Sequence, residues 1–155
     1  MMPQRKELIV SAIENGTVLD HLPADSVFTV VRILKLEELH EQITIGFNLN
    51  SKKYGKKGII KVANKFFEPN QINKIALVAP TATIITIKNF EIIEKKNVEI
   101  PEHIGSIIKC INPKCITNNQ EVGQKFKVID IPGEETVFQC EYCDKFTTKS
   151  NIEFI

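Results

Sequence analysis

No run of apolar residues in this sequence is long enough to cross a bilayer. The first residues, Met1 to Lys6, hold no apolar core of a secretory signal. The expected compartment is therefore the cytoplasm, with no membrane partner. Net charge is nearly missing as well, at +1. Nucleic-acid binding draws on a concentrated cationic surface, so no general attraction for nucleic acid is expected. Also absent are a Ser-His-Asp set, a glycine-rich phosphate loop and a His-Glu metalloprotease pattern. The histidines, His21, His40 and His103, are scattered, and nothing in the sequence pairs one with a nucleophile or an open metal. No internal repeat or low-complexity tract is visible. These absences argue against a catalytic chain.

Cysteine is missing from the first 109 residues, and all four cysteines fall between Cys110 and Cys143. In a reducing compartment such a cluster points to metal ligands rather than disulfides. The arrangement is Cys110-x4-Cys115, then 24 residues, then Cys140-x2-Cys143. Each pair sits on a short turn, so two thiolates can converge on one ion. Two facing pairs complete a tetrahedron, which suits Zn2+ with Zn–S bonds of about 2.3 Å. Two disulfides, four free thiols or iron are the alternatives. Four thiolates leave no open position for substrate, so the site is structural. Large apolar residues are few here, among them Phe126, Val128, Ile129, Val137, Phe138, Phe146 and Phe154. So small a core needs the metal for much of its folding free energy. Lys109, Lys114 and Lys145 flank the ligands, either screening the tetrathiolate's charge or simply solvated.

A chain of 155 residues makes one ordinary domain or two small ones. Glu7 to Ile13 reads as a strand and Glu14 to Gly16 as a turn. Thr17 to Leu22 is a second short extended piece. A helix is predicted from Ala24–Ser26 to about Leu36, capped by Asp25 or Ser26. Gln42 to Leu49 alternates as a strand with one solvated face. Asn50 to Gly58 reads as a Lys/Gly-rich hairpin loop, and Ile59 to Ala63 as its partner strand. Pro69 to Leu77 suits a helix with proline in its first turn. Thr83–Ile87 and Phe90–Ile93 form a hairpin across Lys88–Asn89. Strand, helix, strand, strand, helix, strand is the split βαβ order. The predicted class is α+β: a ferredoxin-like N-terminal domain (antiparallel sheet, two helices) over residues 1–100, then a small all-β zinc-binding domain over 101–155. Asn97 to Pro101 reads as the linker.

Gly16-Thr-Val-Leu-Asp-His-Leu-Pro23, Ile43 to Leu49, Lys57-Gly-Ile-Ile-Lys61, Ala76 to Thr83 and the cysteine pattern with Asn112 inside its first pair carry a resemblance. Together they resemble the regulatory chain of aspartate carbamoyltransferase, over almost the whole chain and in order. The resemblance implies a non-catalytic subunit with a nucleotide-binding allosteric domain and a zinc domain that contacts the catalytic chain. It implies pairing of regulatory chains through their N-terminal domains, with three dimers bridging two catalytic trimers. It implies ATP and CTP as effectors in pyrimidine biosynthesis, acting by shifting a two-state balance.

Carried over position by position, the resemblance implies nucleotide contacts at Ala12, Ile13, Asp20, His21, Lys61, Ile87, Phe90, Ile92 and Lys95. Residue chemistry fits. Lys95 and His21 can meet a triphosphate's roughly four negative charges. Asp20 can accept from ribose hydroxyls, and Lys61 can bridge ribose or base to phosphate. Backbone carbonyls at Ala12, Ile13 and Ile87 can accept from the exocyclic amine that adenine and cytosine share. Read alone, Asp20–His21 is a turn-stabilising pair, Lys61 and Lys95 are solvated strand ends, and the apolar positions are core. Three positions depart from the family: Ile85 where asparagine is frequent, Phe90 in place of tyrosine, and Lys114 where asparagine is frequent. A nucleic-acid-binding zinc module is disfavoured because the C-terminal segment mixes its lysines with Glu121, Asp130, Glu134, Glu135, Glu141, Asp144 and Glu153. A stand-alone enzyme would have to show carbamoyl transfer by itself.

Overall fold

Gly16 starts strand β1 (Gly16–Pro23) at φ 140°. A side chain there would strike the Val62 carbonyl oxygen of the neighbouring strand, so glycine is required. In the computed structural model, which describes residues 12–155, β1 is the middle strand of five. Strands β2 (Ile43–Ser51) and β3 (Gly55–Ala63) lie on one side, and β4 (Thr83–Lys88) and β5 (Glu91–Asn97) on the other. The order is β2-β3-β1-β4-β5. Every neighbouring pair is antiparallel. Helix α1 (Val27–Ile33) joins β1 to β2, and α2 (Pro69–Val78) joins β3 to β4. The unit is thus a ferredoxin-like α+β sheet with β5 added at one edge.

Strand alternation divides the sheet's two faces. Leu19, Ile60, Val62 and Ile84 turn to the helices and meet Val27, Val30, Ile75 and Ala76 in one buried core. Each large side chain fully buried there contributes roughly 1.5–3 kcal/mol. Val18, Ile59 and Ile85 turn the other way and cluster with Ile13.

Several local expectations are corrected. The strand expected at Glu7–Ile13 lies mostly outside the described residues, and Ala12 and Ile13 are not in a strand. The helix predicted from Ala24 to about Leu36 is three pieces: a 3-10 turn at Ala24–Ser26, α1, and a second 3-10 turn at Leu36–Glu38. Lys35 at φ 53° ends α1. Neither Asp25 nor Ser26 makes a side-chain cap; Ser26 Oγ donates to the Val78 carbonyl at 3.3 Å instead. Helix α2 has a capping box, in which the Glu68 N–H donates to Gln71 Oε1 at 3.0 Å. The broad loop expected at Asn50–Gly58 is a tight turn at Lys52–Tyr54, with Ser51 opposite Gly55. The last hairpin turns at Asn89–Phe90, both left-handed, one residue later than predicted. Asn97 belongs to β5 rather than to a linker.

The chain divides into two compact units between Glu99 and Ile100. The second has a four-stranded antiparallel sheet of β6 (His103–Ile104), β7 (Phe126–Ile129), β8 (Val137–Cys140) and β9 (Phe146–Thr148), in that order. One short helix, α3 (Ile116–Asn119), precedes β7. Phe126, Phe138, Ile104, Ile107 and Ile108 are its buried large apolar residues.

Candidate metal centre and effector face

Cys110 and Cys115 flank a turn fixed by its asparagines. Asn112 Oδ1 accepts from the Lys114 N–H at 3.1 Å, and the Cys115 N–H donates to the Asn112 carbonyl at 3.0 Å. Asn118 Nδ2 donates to the carbonyls of Cys110 and Asn112 at 3.0 and 2.7 Å. Cys140 ends β8, and the Asp144 N–H returns to its carbonyl at 2.9 Å, with Asp144 left-handed at φ 62°. The two turns bring the four sulfurs within 4.8 Å of one another. Cys110 Sγ lies 3.6 Å from Cys143 Sγ, and Cys115 Sγ 3.7 Å from Cys140 Sγ. A disulfide needs about 2.05 Å, so these are not bridges. An ion about 2.3 Å from each sulfur of a tetrahedron would hold neighbouring sulfurs about 3.8 Å apart. The donor set therefore fits a tetrahedral metal ion.

The thiols are unequal before metal arrives. Burial pushes Cys110 up to about 12. Burial also works to raise Cys115, but hydrogen bonds from the Thr117 hydroxyl, at 3.1 Å, and the Thr117 N–H outweigh it and bring it to about 7. Burial leads in raising Cys140. Metal binding must displace the protons that burial holds on Cys110 and Cys140.

In the first unit, the register sets Asp20, Lys61, Ile87, Ile92 and Lys95 on the sheet face away from the helices. Val18 stands opposite Lys61 and Ile85, Asp20 opposite Thr83, and Ile85 opposite Lys95. Lys57, absent from the expected site, approaches Asp20 Oδ1 at 2.8 Å. Sequence reasoning placed Lys57 in a loop; only because β3 extends back to Gly55 does it share a face with Lys61, four residues on. Burial works to raise the Asp20 carboxyl, but hydrogen bonds from the Lys57 ammonium and the His21 N–H hold it below its ordinary range. Burial lowers Lys61, against the charge of Asp20.

His21 sits at a bulge in β1 with φ 55°. Its Nδ1 meets Thr83 Oγ1 at 2.9 Å, and the Thr83 hydroxyl donates to Asn97 Oδ1 at 3.0 Å. The Thr83 proton being committed to Asn97, Nδ1 is the donor in the first contact. His21 and Lys95 border one cavity of about 300 Å3 with Thr81, Thr83 and Asn97. The other expected residues do not line it. Ile13 packs with Val18 and Ile85, and Ile87 packs against them. Ala12, Phe90 and Ile92 are exposed. The Phe90 N–H donates to the Glu14 carbonyl at 2.9 Å, tying the β4–β5 hairpin to the segment that follows Ala12 and Ile13. Sequence reasoning did not name Thr83 or Asn97 as site residues; strand pairing brings them to His21. Among the described residues, no helix is long and apolar enough to cross a membrane.

The family described as aspartate carbamoyltransferase regulatory chain, allosteric domain, matches residues 8–99, and its metal binding domain matches residues 102–153. A Bacteroides fragilis protein named aspartate carbamoyltransferase regulatory chain is 48% identical over 155 residues, covering all of both chains. A Thermococcus sibiricus protein of the same name is 49% identical over 147 residues, 95% of each chain. One from Pyrococcus horikoshii is 45% identical over 148 residues, 94% of this chain and 96% of the relative. The chain belongs to the aspartate carbamoyltransferase regulatory-chain family, and is a regulatory rather than a catalytic subunit.

Proposed function

We propose that the first unit binds ATP and CTP as allosteric effectors, and that the second holds one structural Zn2+ and docks on the catalytic chain of aspartate carbamoyltransferase. One observation carries the effector reading: the cavity of about 300 Å3 joins His21 and Lys95, and none of its described lining residues is acidic. Phosphates enter there, with Asp20 and Lys61 along the same face for the sugar. The base lies toward Ala12, Ile13, Ile87, Phe90 and Ile92, where backbone carbonyls select an exocyclic amine. Ile85 is only 8% exposed and apolar, so it offers the base no side-chain hydrogen bond. Phe90 offers a ring face and no hydroxyl.

Zn2+ is favoured by a closed set of four thiolates on two short turns. Ile111, Ile116 and Tyr142 stand exposed on or beside those turns and give the lobe an apolar contact surface. Regulatory chains pair through the β2 edge of the first unit. That edge strand exposes Ile45 and Phe47, with the Phe28 ring 5.3 Å from the Phe47 ring. An open apolar edge is completed by a second copy of itself. Dimers so formed link catalytic trimers in the cytoplasm.

An effector shifts the balance of states only by its difference in affinity for them, typically about 1–3 kcal/mol. The test is aspartate saturation of the reconstituted complex with and without each nucleotide. A shift in half-saturation by ATP or CTP that vanishes with Lys95→Ala supports the reading. Carbamoyl transfer by the regulatory chain alone would overturn it.

A further inference from the structure

Helix α3 is a single turn of four residues, too short to be stable by itself. Its polar side chains turn back on the cysteine loop that precedes it. Asn118 reaches the carbonyls of Cys110 and Asn112. Asn119 Nδ2 donates to the carbonyls of Pro113 and Cys115 at 3.0 and 2.8 Å. Those bonds hold main chain. Thr117 instead reaches a sulfur: its hydroxyl donates to Cys115 Sγ at 3.1 Å, and both residues are buried. The Thr117 N–H donates to the same sulfur. The Thr117 carbonyl accepts from Gln124 Nε2 at 3.4 Å, and Gln124 is itself buried. Among the described residues, the other side-chain contacts of the four sulfurs are with one another.

Shape does not explain the hydroxyl. Valine has the same outline and would fill the site without taking a polar group out of water. A buried hydroxyl gains over valine when its acceptor is charged, and a thiolate is such an acceptor. Four thiolates around a divalent ion leave a net charge of about −2 in a small unit. Donors to sulfur disperse that charge and fix the direction of the ligand. We propose that Thr117 is a positioning residue of the metal centre, its hydroxyl acting through Cys115 Sγ to retain the ion. The inference rests on the metal reading above and adds a residue outside the cysteine set.

The test uses the full chain with Zn2+ and with Co2+. Competition with a chromophoric chelator gives the Zn2+ affinity. Co2+ gives a thiolate-to-metal charge-transfer band that reports on the sulfurs. Thr117→Val should weaken Zn2+ binding about tenfold, the lower end of what loss of an outer-shell partner costs. It should also move the Co2+ band to longer wavelength, because a sulfur without its donor gives up charge to the metal more readily. Thr117→Ser, which keeps the hydroxyl, should restore both. Thr147→Val is the control: Thr147 is also buried in the second unit, but its hydroxyl has no hydrogen-bond partner among the described residues. That change should leave affinity and band as they are. Unchanged affinity in Thr117→Val overturns the assignment, and so does a Thr117→Ser variant as weak as the valine one or an equal loss from Thr147→Val. Affinity lost with an unmoved band overturns it too, since packing alone would do that. Failure of the metal reading looks different: wild-type chain would give no Co2+ charge-transfer band and would not compete for Zn2+.

Discussion

Phe90 sits at φ 64° with 66% of its surface exposed. A bulky residue in the left-handed region is strained by about 1–2 kcal/mol, and here no burial offsets it. Strain kept without packing gain fits a side chain retained for a ligand. Phe90→Gly should therefore raise unfolding stability by roughly 1 kcal/mol, seen in urea titration, while weakening nucleotide binding. Asp20 gives a second residue-scale expectation. Its carboxyl is held below the ordinary range, so its pairing with Lys57 stabilises the fold above the unfolded-state value, about 3.9, and that contribution is lost as pH falls through the folded value. Lys57→Met should cost about 1–2 kcal/mol at neutral pH. The difference between mutant and wild type should shrink in urea titrations at about pH 3. A mutant deficit that stayed constant with pH would show that Lys57 acts by packing alone.

At the scale of elements, β3 lies close under α1. A Cβ on Gly58 would collide with Val27 Cγ2, a buried β-branched side chain with little freedom to move. Gly58→Ala should cost about 1–3 kcal/mol by overpacking, read as a lowered thermal midpoint. Wherever pattern was local, the sequence showed the element: α2 from its proline and apolar spacing, and β4 from its isoleucines. Elements that depend on a partner strand were hidden. Lys56 and Lys57 suggest a loop, yet both lie in β3 because Leu49 and Asn50 pair with them. Asn97 suggests a linker, yet it pairs with Thr83 and ends β5. Lys35 carries no helix-stopping signature and still ends α1. For the same reason the metal cage was legible from the cysteine spacings, while Thr83 and Asn97 were not: strand pairing alone brings them to His21.

For the whole molecule, the two units are stabilised differently. The first buries a continuous core between its sheet and two helices. The second has few large buried side chains and gathers four thiols at one point. Metal removal should therefore unfold the second unit selectively, as binding free energy there is folding free energy. Chelation followed by amide hydrogen exchange should show lost protection in residues 100–155 and unchanged protection in β1, β3 and β4. The proposed docking requires a metal-clamped second unit to join this chain to its catalytic partner. Its most direct test is to mix metal-loaded and metal-stripped chain with catalytic subunits of aspartate carbamoyltransferase and measure the mass of the product. The loaded protein should give a large complex containing one zinc per regulatory chain, and the stripped protein should leave uncomplexed subunits. A stripped chain that assembles fully, with its second unit still ordered, would contradict it.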